Sequence, residues 1–154
     1  MEILYDDMKH IINLIKSELR KHMVNIRSHI PAKIRTEKSQ IIMKKLRSLQ
    51  AYKEAKLILV YVSIRSEVET HSFINEAFGD GKRIAVPLTI SKAKVLLPCE
   101  ISSLDELTPG TWGILEPDKN NIPEVDSKGI DLAVVPGLAF DSHCNRLGFG
   151  AGYY

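Results

Sequence analysis

Apolar residues recur through the opening segment at helical intervals, not in alternation. Ile3, Leu4, Met8, Ile11, Ile12, Ile15, Leu19, Met23 and Ile26 form one stripe, which predicts a helix over about 3–28. Pro31 suits the start of a second helix, where its missing N–H would be unpaired anyway. Ile34, Ile41, Ile42, Leu46 and Leu49 are expected to supply that helix's buried face. The stretch "KLILVYVS" is short, continuous and β-branched, so it reads as a strand buried on both faces. In "EVETHSFINEAFGDGK", Thr70 can cap a helix, Phe73, Ile74 and Ala77 line its inner side, and Gly79 or Gly81 ends it. "RIAVPL" reads as a second strand and "KVLLPCEI" as a third, with Pro98 near its end or at an edge. "SLDELTPG" is a helical turn followed by a loop, and "WGILEPDKNNIPEVD" is loop. "IDLAVVPGLAF" is the last strand, broken at Pro136-Gly137. Strand, helix and strand at this spacing predict an α/β fold with a mainly parallel sheet. Ligands of such sheets sit beyond the carboxyl ends of strands. "SIRSEVET" leaves the first strand there, and "PGLAFD" with a glycine run leaves the last.

Composition narrows this picture. The 154 residues suffice for one domain with its own core. A 44% hydrophobic and 26% charged chain is globular in composition. No apolar run approaches the roughly 20 residues that span a bilayer. The start "MEILYDDMKH" is acidic where a secretory leader is basic, so a cytoplasmic protein is expected. Cys99 and Cys144 are expected as free thiols, and His143 beside Cys144 makes no chelating pair. Residues 1–56 hold 13 Lys and Arg against 6 Asp and Glu, and the remainder holds 8 against 13. The basic half fits either a polyanion or two solvated amphipathic helices.

The chain closes on "NRLGFGAGYY". Glycines bring backbone amides close to a ligand, successive amides cradle anions, and Arg146 adds a forked cation. The spacing is neither a dinucleotide fingerprint nor a P-loop. The residues alone leave two readings open, an anion or nucleotide loop and a flexible surface turn.

Four stretches carry a resemblance: "IKSELRKHM", "YVSIRSEVETHSFI", "TWGILEP" and, most specific, "VVPGLAFDSHCNRLGFGAGYY". In this order and separation they are similar to the 5-formyltetrahydrofolate cyclo-ligase family, from about residue 14 onward. The resemblance implies a single cyclo-ligase-like domain over 1–154. Its expected fold is a three-layer α/β/α sandwich with a mainly parallel sheet, incomplete at the C-terminus. The implied activity is magnesium- and ATP-dependent closure of 5-formyltetrahydrofolate to 5,10-methenyltetrahydrofolate, releasing ADP and phosphate. The implied nucleotide loop runs through Arg146, Leu147, Gly148, Phe149, Gly150, Ala151, Gly152, Tyr153 and Tyr154, with Arg146 as the catalytic cation. Lys16 and Arg20 match the family's basic pair for ATP and stand one helical turn apart. Read without the resemblance, they are either a clamp for phosphates or two solvated charges on a basic helix. Glu67 matches the folate-contacting glutamate, while Glu69 serves either as a ligand or in a helix cap with Thr70. Val62 and the segment Phe149, Gly150, Ala151, Gly152, Tyr153 match substrate-lining positions. Trp112 matches an aromatic near the ligand, its alternative being a loop anchor in the core.

Departures and alternatives shape the remaining expectations. The family often has Gly where this chain has Cys144, and Gly or Lys where it has Ala151. The family's acidic magnesium positions lie beyond Tyr154, so no metal ligand is expected within the chain, with Mg2+ and ATP as the implied cofactor and co-substrate. Small-molecule substrates, no membrane or nucleic-acid partner, and a monomer are expected. The competing function is a non-catalytic ligase-like module that binds nucleotide or nucleic acid through the basic half. The 154-residue chain is expected to bind magnesium-ATP poorly and to be marginally stable. Nucleotide binding and turnover compared with a version extended through the family's further segment tests this, and equal activity of the two defeats it.

Overall fold

The structure, a computed structural model, describes residues 2–120 and 122–154, with side chains described from Asp7 onward. Ile3 and Leu4, in the expected first stripe, lie outside the described side chains, and Asn121 of the expected loop lies outside the described residues. Helices α1 (Glu2–Ser28), α2 (Ala32–Ser48) and α3 (Gln50–Glu54) precede strand β1 (Leu57–Val60). Helix α4 (His71–Gly79) leads to β2 (Arg83–Ile90) and β3 (Val95–Ile101). Short strands follow: β4 (Thr108–Pro109), β5 (Leu115–Glu116), β6 (Leu132–Val134), β7 (Ala139–Phe140) and β8 (Arg146–Leu147). The chain divides into two compact units, Met1–Ile30 with Pro136–Gly152, and Pro31–Val135 with Tyr153–Tyr154. Among the described residues no helix is long and apolar enough to cross a membrane.

The larger unit is α/β. Its four strands run in the order β3-β2-β1-β6. β1 pairs in parallel with β2 and β6, and β3 is antiparallel to β2, so the sheet is mixed and mostly parallel. The apolar run Leu57–Val60 becomes a central strand, with Ile58 and Val60 fully buried. α4 is the crossover from β1 to β2, and its inner face is Phe73, Ile74 and Ala77 as the pattern requires. Burying these side chains contributes roughly 1.5–3 kcal/mol each for the larger ones. Gly81, at φ 74, turns the chain after that helix. Two prolines face each other across β2 and β3, Pro87 opposite Pro98. Both lack a donor, yet neither breaks a ladder. Pairing between β1 and β2 stops at Ala85, and β3 is an edge strand. Asp131 fixes the start of β6 by accepting from the Lys56 and Leu57 amides at 2.8 and 2.9 Å. Those donors, Leu57 first, hold its carboxyl below the usual carboxylate range.

The second helix corrects one expectation. Its packed face holds Ser39, Met43 and the partly buried Leu46. Ile34, Ile41, Ile42 and Leu49 are exposed. The helix carries apolar residues on more than one face, and periodicity alone cannot say which stripe the sheet will cover. Along α1, too, Met8, Ile11, Ile12, Ile15, Leu19 and Ile26 are exposed. The helix itself runs where it was expected.

The ends of α2, α3 and α4 are tied by a polar cluster. Arg47 donates to both carboxylate oxygens of Asp80 at 2.8–3.1 Å and pairs with Glu76. The Tyr52 hydroxyl donates to Asp80 at 2.6 Å, and its ring lies 5.7 Å from that of Phe73. The Tyr52 hydroxyl first, and Arg47 second, hold Asp80 below the usual carboxylate range. Burial first, and the Asp80 hydrogen bond second, push the Tyr52 phenol up to about 12.

A phenol raised in the folded state stabilises it fully below the unfolded value of about 10, and that stability is lost as pH rises toward about 12. Tyr52→Phe is expected to cost about 1–2 kcal/mol near neutral pH by loss of the hydrogen bond to a carboxylate. The gap between the two proteins narrows above about pH 10. Urea unfolding of both across this range is the measurement.

Candidate functional site

In the larger unit, the segment leaving β1 is built around one buried threonine. Thr70 Oγ1 accepts from the Ser63 amide at 3.0 Å and donates to the Tyr61 carbonyl at 2.8 Å. Ser63 Oγ accepts in return from the Thr70 amide at 3.0 Å. This reciprocal pair closes the loop over 61–70 at the carboxyl end of β1. Thr70 precedes α4, as expected, but its side chain makes no cap hydrogen bond because the loop uses its hydroxyl. Glu69 takes the capping role instead, accepting from the Ser72 amide at 3.0 Å. Of the two roles left open for Glu69, the structure thus supports the cap. Ser39 of α2 accepts from the Glu69 amide at 3.0 Å and so fixes the loop's far end.

Glu67 sits in this loop, its Oε2 accepting from the Ile64 amide at 2.9 Å. Val62, expected to line the substrate site, is buried in the core cluster. Trp112 is 59% exposed, which removes the reading of it as a core anchor. Its ring meets that of Tyr153 edge-on, with centroids 5.6 Å apart at 75°. Trp112 also holds a left-handed backbone, φ 58 and ψ 17, a conformation costing of order 1–3 kcal/mol for a residue with a side chain.

In the smaller unit, α1 and the glycine run meet through arginines. Arg20 Nε donates to the Gly148 carbonyl at 2.9 Å. Gly150 takes φ 105, and a Cβ there would stand 3.2 Å from Arg20 Cζ, so this glycine serves both conformation and close approach. Lys16, one turn earlier on α1, is exposed. Arg27 was not singled out from the sequence. It donates to the Gly137 carbonyl at 3.2 Å and lies 5.5 Å from the Phe149 ring centroid. The available signal was its register, since residues 16, 20 and 27 fall within one narrow sector of a helix. Leu147 pairs with Ala139 and Arg146 with Phe140 in a β7–β8 hairpin. Ala139 and Phe140 were expected within the broken last strand, but the reading of Arg146 and Leu147 as loop missed their pairing, because a two-residue strand gives too little alternation to see. Arg146 donates to the Pro136 carbonyl at 2.8 Å. Ala151 and Tyr154 are exposed.

The two thiols are free, as expected, with Cys99 buried and Cys144 exposed. Burial pushes the Cys99 thiol up to about 11, which makes it a poor nucleophile. Among the described residues no group of three or more His, Cys, Asp or Glu is placed to hold a metal ion.

Thr70→Val, similar in volume, is expected to strip the Ser63 amide and Tyr61 carbonyl of a buried partner and destabilise the fold by about 2–4 kcal/mol. Thr70→Ser, which keeps both bonds, stays within about 1 kcal/mol of the parent. Urea unfolding midpoints of the two variants give the comparison.

The family signature of the 5-formyltetrahydrofolate cyclo-ligase family matches residues 13–154. The 5-formyltetrahydrofolate cyclo-ligase of Mus musculus is 31% identical over 148 residues, spanning 93% of this chain and 73% of the relative. A probable 5-formyltetrahydrofolate cyclo-ligase of Schizosaccharomyces pombe is 30% identical over 156 residues, spanning 71% of that relative. The solved 5,10-methenyltetrahydrofolate synthetase of Aquifex aeolicus superposes with a TM-score of 0.79 at 31% identity, covering 91% of this chain and 70% of that one. With its signature matched over nearly the whole length and its α/β fold shared with a solved synthetase, this chain belongs to the 5-formyltetrahydrofolate cyclo-ligase family.

Proposed function

We propose that the protein closes 5-formyltetrahydrofolate to 5,10-methenyltetrahydrofolate at the expense of ATP, with release of ADP and phosphate. The observation that carries this reading is the match of the family signature across the β1 loop and the glycine run together. The Arg20 bond to the Gly148 carbonyl supports it, since it fixes that run against a basic helix face. In the proposed reaction the formyl oxygen attacks the γ-phosphorus, a new P–O bond forms, and the bond to ADP breaks. N10 then attacks the formyl carbon and loses its proton, the C–O bond to phosphate breaks, and phosphate leaves.

The chain's own residues would position and neutralise, which is most of what phosphoryl transfer requires of a protein. Lys16 and Arg20 would hold phosphate oxygens from one helix face. The amides of residues 148–152 would add uncharged donors. Arg146 would supply the cation nearest the transferring group. Glu67 would accept from the pterin's N–H groups, and Trp112, with Tyr153 edge-on beside it, would offer its exposed ring to the pterin. The described residues offer no cluster to fit magnesium, so the ion is proposed to arrive on the nucleotide, and no step is assigned to it.

Mixing 5-formyltetrahydrofolate, ATP and magnesium with a version of the protein extended through the family's further segment is expected to give a growing near-ultraviolet band from the conjugated product. Arg146→Ala lowers its rate about 100-fold or more while the fold is kept. No band, together with salt-sensitive RNA binding, would favour the non-catalytic module instead.

A further inference from the structure

Glu116 of β5 is a buried carboxylate, 1% exposed. A charge in that position requires partners, and it has them. Its Oε1 accepts from the Thr89 amide at 3.2 Å, near the carboxyl end of β2. Its Oε2 accepts from the Thr111 amide at 3.0 Å and lies 3.8 Å from Lys119 Nζ. One side chain therefore joins the sheet to the turn 110–113. The turn is shaped to receive it. Gly110 packs so tightly that a Cβ there would stand 2.1 Å from Oε2. The Gly110 amide donates to the Ile114 carbonyl at 2.7 Å, and the Gly113 amide to the Gly110 carbonyl at 3.1 Å. The residue enclosed by these bonds is Trp112, left-handed and exposed, with its ring against Tyr153. A strained backbone under an exposed aromatic persists only where its surroundings over-determine it. Here the amide next to the strained residue is held by the buried glutamate.

We propose that Glu116 is a positioning residue: through the Thr111 amide it holds the strained turn that presents Trp112, beside Tyr153, to the pterin ring of the folate. The assignment rests on the folate reading above, but its physical half concerns the ligand-free chain. Removing the carboxylate frees the Thr111 amide and lets Trp112 relax out of the left-handed region. The aromatic pair then separates, and the surface offered to a flat heterocycle is lost.

Trp112 is the only tryptophan, so its signals report on this turn alone. In the ligand-free chain, Glu116→Ala is expected to reduce the near-ultraviolet circular dichroism of the aromatic pair and the fluorescence anisotropy of Trp112, with far-ultraviolet signal kept. Unchanged Trp112 signals overturn the proposal, whatever happens to binding. Titrated by tryptophan quenching, 5-formyltetrahydrofolate is expected to bind about tenfold more weakly to this variant, with ATP affinity within about twofold, as misplacing one positioning group does. Equal losses for both ligands overturn it, since they mark a merely structural role. If the unaltered chain binds no folate, the function reading fails while the ligand-free arm still decides what Glu116 does to Trp112. If Glu116→Ala does not fold, amide hydrogen exchange of the unaltered chain decides. The Thr111 amide is expected to exchange at least about 100-fold more slowly than a free peptide, and an unprotected amide overturns the proposal.

Discussion

The larger unit depends on how a buried chain can leave the carboxyl end of β1 without stranding its backbone polar groups. Water cannot satisfy them there, so side chains must. The Thr70–Ser63 pair does this with two hydroxyls, each accepting from the other residue's amide. Ser39 and Glu69 extend the same solution to the start of α4. The consequence reaches Glu67. Glu67 sits on a loop pinned at both ends, and its own carboxylate bonds the Ile64 amide, so its position follows from the loop's closure.

The smaller unit uses the same logic with opposite charge. Its arginines are engaged by main-chain carbonyls: Arg20 by Gly148, Arg27 by Gly137, Arg146 by Pro136. A guanidinium has five donors in a fixed plane, so a bond to a carbonyl sets the direction of the whole fork. Arg20 bonds through Nε, and its Nη2 passes Gly150. Lysine could hold either a carbonyl or a phosphate oxygen but could not set the direction of the remaining donors. The glycine at 150 is then explained twice over, by its positive φ and by the guanidinium lying against it.

The sequence made the order of the long helices and of β1, β2 and β3 legible, and with it the core of α4, because nine to 27 residues of clear periodicity leave little choice, whereas α3, β4, β5 and β8 were too short to read. It made the central position of β1 legible through an unbroken apolar run. It did not reveal which face of α2 is covered. Ser39 and Met43 are inside while Ile41 and Ile42 are outside, and on the covered face Ser39 accepts from the Glu69 amide. Arg146 and the glycines of the candidate site were legible as motif. Arg27 was not, since a cation in a basic helix looks like any other. Glu116 was invisible for a different reason: an acidic residue in a loop-like stretch reads as solvated, and only the folded turn buries it.

Cys144 shows how an unfavourable backbone can be absorbed. Its φ is 64, the left-handed region in which a Cβ costs about 1–2 kcal/mol. The turn compensates locally. Asp141 accepts from the His143 and Asn145 amides at 2.9 Å and from Asn145 Nδ2 at 2.8 Å. Those donors, the Asn145 side chain first, hold its carboxyl below the usual range, so the acceptor stays ionised through ordinary pH. The Cys144 amide adds a bond to the Asp141 carbonyl. Charge-assisted bonds from one aspartate thus close the loop between β7 and β8 around the unfavourable residue. The hairpin that carries Arg146 tolerates the cysteine's left-handed backbone because its geometry is set at Asp141, three residues before it.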